Sequence, residues 1–91
     1  MERPGQVTVE FYGIPRQRAG RAELVVSAGT VADALAAVES ACPGLCGLVT
    51  QDGSLSPHYL LSIDGQRFLS DLDRPLRPED RLLLLSADVG G

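Results

Sequence analysis

The sequence predicts an α+β domain in which one helix covers one face of a mixed sheet. Three observations predict it. Short apolar runs with strand-like alternation stand near the start, past the middle and at the end of the 91-residue chain. Only residues 30–42 carry apolar side chains at helical spacing. Between two of the later runs sits Asp64-Gly65, a two-residue hairpin signal.

The elements follow in order. Val7, Val9 and Phe11 alternate with polar neighbours and mark a half-buried first strand. Residues 13–20 hold two Gly, a Pro and two Arg and read as a loop. Residues 22–27, rich in Val and Leu, pair back as a second strand. Thr30 is a good N-cap, and Asp33 places a carboxylate in the first turn, facing the positive end of the helix dipole. Val31, Leu35, Val38 and Cys42 form one apolar stripe, widened by Ala34 and Ala41. Pro43-Gly44 stops this helix of about 12 residues. Residues 45–57 are less regular: Leu45, Leu48 and Val49 tuck under the fold, and residues 51–54 make a tight turn. Residues 59–63 form the third strand and 66–69 a short fourth. Residues 70–80 form a loop anchored by Leu72 and Leu76, and 81–86 the last strand. The order is β-β-α-β-β-β, a β-grasp pattern. It divides the chain into a domain over residues 1–86 and a tail over 87–91.

Composition bounds the function. A chain this short has room for one small core. With two Phe, two Tyr and no Trp, that core is built of Leu, Val, Ile and Ala. A net charge of -4 argues against nucleic acid, which calls for a basic surface. All eight positive charges are Arg, so the chain offers no side-chain amine for isopeptide attachment. No apolar run approaches the roughly 20 residues that span a bilayer, and residues 1–6 are too polar for a signal peptide. The expected location is the cytoplasm, with no membrane partner.

Residues 82–85 are four consecutive leucines. Side chains on a strand alternate between faces, so two of them point away from the helix. One helix cannot cover both faces of a sheet. The outer pair, read as Leu83 and Leu85, is expected beside Tyr12 and Leu60 or Ser62, and together they form a partner surface unless the insert over residues 45–57 folds across that face.

The sequence ends Asp88-Val89-Gly90-Gly91. After an apolar last strand, a terminal diglycine points to chemistry at the carboxylate of Gly91. Five residues from Ala87 onward reach at most roughly 17 Å, enough to enter a narrow channel in another protein. Glycine suits such a channel because it has no side chain. A carboxylate becomes an acyl donor once adenylated, and a sulfur nucleophile can then attack it.

The element order, the Asp64-Gly65 hairpin, the loop over residues 75–80 and terminal Gly90-Gly91 together resemble the ThiS/MoaD family of ubiquitin-like sulfur carriers. The resemblance covers residues 7–91. Family members often carry Asn-Gly at the hairpin and Leu-x-x-Gly-Asp before the last strand. Here Asp64-Gly65 stands at the former, and Leu76, Glu79 and Asp80 at the latter. The resemblance implies that an E1-like enzyme adenylates Gly91 with ATP and Mg²⁺, and that a sulfur donor converts it to a thiocarboxylate. An acceptor enzyme, such as the large subunit of molybdopterin synthase, then takes the sulfur. Related carriers serve thiamine, cysteine or tRNA-thiolation pathways. Such a protein is a cosubstrate, with no catalytic residue of its own and no bound cofactor. The tail departs from the common Pro-Pro-Val-x-Gly-Gly ending: Ser86 and Ala87 replace stiffening prolines, and Asp88 adds a charge. The insert over residues 45–57 is similar to that of MoaD-like or cysteine-pathway carriers.

Other readings of the residues stay open. A ubiquitin-like modifier would transfer the same activated Gly91 to a Lys of another protein. A plain β-grasp binding module would make no use of it. Cys42 and Cys46 read as a core residue and a loop thiol, since two Cys and one distant His complete neither a zinc site nor an iron–sulfur site. His58 reads as a surface or edge residue. The charges of residues 71–81 read as a solvated mixed-charge loop.

Overall fold

The computed structural model describes residues 5–64 and 67–87. Five strands form one sheet: β1 (Gln6–Phe11), β2 (Glu23–Ser27), β3 (Tyr59–Ile63), β4 (Arg67–Phe68) and β5 (Arg81–Ser86), in the spatial order β2-β1-β5-β3-β4. β1 and β5 run parallel at its centre, and the other pairings are antiparallel. The sheet is therefore mixed, as expected.

The main helix, α2 (Val31–Ala41), packs on one face. Its N-cap is Thr30, whose Oγ1 accepts from the backbone N–H of Asp33 at 3.2 Å. The loop over residues 70–80 completes this cap. Val31 N–H donates to the Arg74 carbonyl, and Ala32 N–H to the Leu72 carbonyl. These bonds satisfy donors that a helix start otherwise leaves unpaired. Leu72 is buried and Leu76 packs against the core, so the loop is anchored where the sequence placed its two leucines.

Val31, Ala34, Leu35, Val38 and Cys42 bury the helical stripe against Val7, Val9 and Phe11 of β1, Leu61 of β3, and Leu82 and Leu84 of β5. Ala41 departs from the expected stripe. It is exposed although it stands only about 20° round the helix from buried Ala34, because it lies two turns on, in the last turn of the helix. Pro43 ends the α-helix and begins a 3₁₀ turn over Pro43–Leu45 that drops Leu45 into the core. Leu48 is also buried and Val49 partly so. The insert then closes on itself: Val49 bridges Leu55, and Ser56 N–H donates to the Leu48 carbonyl at 2.7 Å.

The segment over residues 13–20 is a correction. It contains a short helix, α1 (Ile14–Ala19), so the order is β-α-β-α-β-β-β. Pro15 stands in its first turn, where proline loses no helical hydrogen bond and its φ is already set. Gly20 closes it at φ 74, donating its N–H to the Arg16 carbonyl at 3.0 Å. The residues that read as loop punctuation are the helix's start and stop. The fourth strand spans Arg67–Phe68 and is shorter than expected. At the β3–β4 connection Asp64 adopts φ 55, while Gly65 and Gln66 of the expected hairpin lie outside the described residues.

Candidate functional site: the foot of the tail and the outer sheet face

β5 carries the chain to its end. It pairs with β1 on one side and with β3 on the other. Ser86 stands opposite Tyr59, and Ala87 N–H donates to the His58 carbonyl at 2.9 Å. Asp88, Val89, Gly90 and Gly91 lie outside the described residues. Four residues beyond Ala87 reach at most about 14 Å when extended.

The parallel pairing of β1 with β5 gives this end of the sheet its neighbours. β1 finishes beside β5's finish, so α1, which follows β1, lies next to the tail's foot. Ile14 and Arg18 of α1 line a hollow there with His58, Tyr59 and Ser86. The Arg18 guanidinium donates to the hydroxyl of buried Tyr59 at 2.7 Å, which ties α1 to β3.

The outer face carries the four residues expected as a partner surface. Leu82 and Leu84 are buried under α2, and Leu83 and Leu85 lie half-buried on the opposite face. Leu85 stands directly across from Leu60, and Leu83 lies between Ser62 and Glu10. Leu60 is 40% exposed and Tyr12 42%. Phe68 joins them, 68% exposed and opposite Ser62. Sequence reasoning missed it, because a two-residue strand shows no alternation. The only signal was an aromatic next to the apolar Leu69. Ser62 is buried on this nominally outer face, flanked by Phe68 and Leu83. Residues 54–57 of the insert border Leu60 and Phe68 in a shallow groove and leave both exposed.

The face divides into apolar and charged halves. Toward β2, Glu10 accepts from the Arg81 guanidinium at 2.8 Å and from the Tyr12 hydroxyl at 2.7 Å. The Arg81 hydrogen bond, then that of Tyr12, holds the Glu10 carboxyl below its ordinary value. The same bond to Glu10 raises the Tyr12 phenol. Tyr12 therefore belongs to the polar half, its hydroxyl held by the carboxylate of the Glu10–Arg81 pair. Leu60, Leu83, Leu85 and Phe68 make up the apolar half.

Cys42 is buried in the core and Cys46 is exposed, both as free thiols. Among the described residues no three of His, Cys, Asp and Glu gather as a metal site. No described helix is long and apolar enough to cross a membrane. What the described geometry offers is a five-stranded sheet with an apolar outer face and, beside one end of that face, Ala87 at the foot of the tail.

No protein-family model matches the chain, and no curated protein matches it. Solved structures do. The small archaeal modifier protein SAMP1 of Haloferax volcanii superposes with a TM-score of 0.81 at 26% identity, over 96% of this chain and 100% of that one. CysO in the Amycolatopsis orientalis BexX/CysO complex matches at TM-score 0.77 and 22% identity, covering 93% and 99% of the two chains. A putative molybdopterin converting factor subunit 1 of Pyrococcus furiosus matches at 0.72 and 19%, covering 90% and 97%. These neighbours are small ubiquitin-like β-grasp carriers and modifiers of the ThiS/MoaD type.

Proposed function

From the premise that the chain is a ubiquitin-like β-grasp protein of the ThiS/MoaD kind, we propose that it is a sulfur carrier acting as a protein cosubstrate through Gly91. The observation that carries this reading is the placement of the tail's foot. A central strand with a partner on each side ends at Ser86, and Ala87 makes one more ladder bond before the Asp88-Val89-Gly90-Gly91 segment. Such an arrangement holds the domain outside a partner while a thin segment enters it.

The chemistry belongs to that partner. The Gly91 carboxylate attacks the α-phosphorus of ATP on an E1-like enzyme that supplies Mg²⁺, and pyrophosphate leaves. A sulfur nucleophile then attacks the acyl carbon, AMP leaves, and the resulting thiocarboxylate is carried to an acceptor enzyme. Gly90 and Gly91 fit a narrow channel, and Asp88 and Val89 set what that channel must accept. The domain binds by its outer face, with Leu60, Leu83, Leu85 and Phe68 as apolar anchors and Tyr12 at their edge. Molybdopterin synthesis, with a synthase large subunit as acceptor, is one destination. A cysteine, thiamine or tRNA-thiolation pathway is the other kind. The missing prolines and the charge at Asp88 favour an enzyme pair adapted to this tail.

Intact mass tests the proposal. After incubation with the host's E1-like enzyme, ATP, Mg²⁺ and sulfide, the chain is expected to gain the difference between one sulfur and one oxygen, and a variant lacking Gly91 is not. No gain, with that enzyme shown active on another carrier, would sink the sulfur-carrier reading for the pair.

A second reading has its own support. SAMP1, the 26% identical neighbour, is by name a modifier protein. A modifier would pass the activated Gly91 to a Lys of another protein, since this chain has none. Conjugates that vanish without Gly91 would distinguish it.

A further inference from the structure

The chain is acidic, yet residues 12–22 contain three Arg and no Asp or Glu. Elsewhere five Arg stand against all twelve acids. The three, Arg16, Arg18 and Arg21, are all exposed, and none forms an ion pair among the described residues. α1 gathers them. Arg16 and Arg21 line one shallow hollow with Gly13 and Gly20, and Arg18 lines the next, which it shares with Ser86 at the foot of the tail. The Tyr59 hydroxyl restrains Arg18, so one of the three guanidiniums is held in place before any partner arrives. We propose that α1 is a docking face for an acidic segment of the enzyme that takes up the tail. This inference rests on the activation reading above.

Charge and position select the partner class. A polyanion such as RNA would meet the surplus of acids wherever it ran beyond these three Arg. A short acidic segment on a protein can match α1 alone. The parallel β1–β5 pair puts α1 at the end of the sheet from which residue 87 departs, whereas the 70–80 loop precedes β5 at its far end. An acidic rim around a tail-binding channel would therefore face Arg16, Arg18 and Arg21. Such rim charges act mainly by accelerating encounter and fixing orientation.

The test measures association of the full chain with the host's E1-like enzyme by stopped flow, alongside ATP–pyrophosphate exchange. Arg16→Glu/Arg21→Glu is expected to lower kon about tenfold at about 0.1 M salt, with the gap closing toward 1 M as screening shortens to about 3 Å. Arg21→Glu alone is expected to slow association more than Arg77→Glu, which changes net charge equally but sits on the 70–80 loop. Circular dichroism checks that each variant is folded. Exchange with the wild type but an unchanged kon in the double variant overturns the inference alone, as does an equal effect from Arg77→Glu. Tighter, Arg16- and Arg21-dependent binding to a short single-stranded oligonucleotide than to the enzyme also overturns it. No exchange with the wild type overturns the activation reading, and this inference with it.

Discussion

Phe68 offers a sharp separation of binding from folding. A Phe side chain can bury about 200 Å², so 68% exposure leaves roughly 140 Å² for a partner to cover. At about 25 cal/mol per Å² that area is worth at most about 3.5 kcal/mol in a complex, within the range that marks a binding hot spot. The remaining roughly 60 Å² supports the fold by about 1.5 kcal/mol at most. Phe68→Ala is therefore expected to weaken binding to the activating or acceptor enzyme by about 10- to 300-fold while lowering thermal stability only slightly. Calorimetric titration gives the affinity, and a melting curve of the same sample gives the stability. Wild-type affinity in a folded Phe68→Ala protein would refute the assignment of the apolar half as the contact surface. A large stability loss would mean that Phe68 holds the β3–β4 hairpin together instead.

Two further perturbations test the scaffold. At Gly44 an added Cβ would collide with the Arg18 backbone carbonyl, so Gly44→Ala must push α1 away from the 3₁₀ turn. A loss of about 1–3 kcal/mol in denaturant unfolding is expected, and wild-type stability would show that α1 yields freely. The Glu10 carboxyl should titrate below its ordinary 4.5 by NMR, and Arg81→Ala should move it back up. Because the folded-state value is depressed, the pair's contribution is present above the unfolded value and lost as pH falls through the folded one. That contribution is small, since the pair is solvent-screened, and an unmoved Glu10 midpoint in Arg81→Ala would disprove the coupling.

Much of the fold was legible because burial imposes a period. Val7, Val9 and Phe11 alternate since β1 has one face on the core, and Val31, Leu35, Val38 and Cys42 recur at helical spacing since α2 does. The four leucines of β5 sorted as a strand must, two in and two out. α1 was not legible by the same means. Six residues hold too few turns to show a stripe, and Pro15 and Gly20 mark a loop as readily as a helix's two ends. Phe68 was hidden for a similar reason: its face is fixed by pairing with Ser62, a contact between strands that no local pattern encodes. The reading of Gly90-Gly91 rests on the sequence alone, since both lie outside the described residues.

The placement of these pieces follows from one feature of connectivity. Antiparallel neighbours would send β1 and β5 to opposite ends of the sheet. Parallel pairing brings the end of β1, with Tyr12 and α1, beside the end of β5, where the tail begins. The connection back to β2 must then cross this end, and the chain uses that crossing to carry Arg16, Arg18 and Arg21. A single main helix meanwhile covers one face of the sheet, so on the other Leu60 and Phe68 stay exposed and Leu83 and Leu85 half-buried. In the carrier proposal, a basic approach, an apolar landing face and the start of the tail then lie together toward one end of β5. Under that proposal each enzyme brings its own chemistry, and this chain brings the surface that both read.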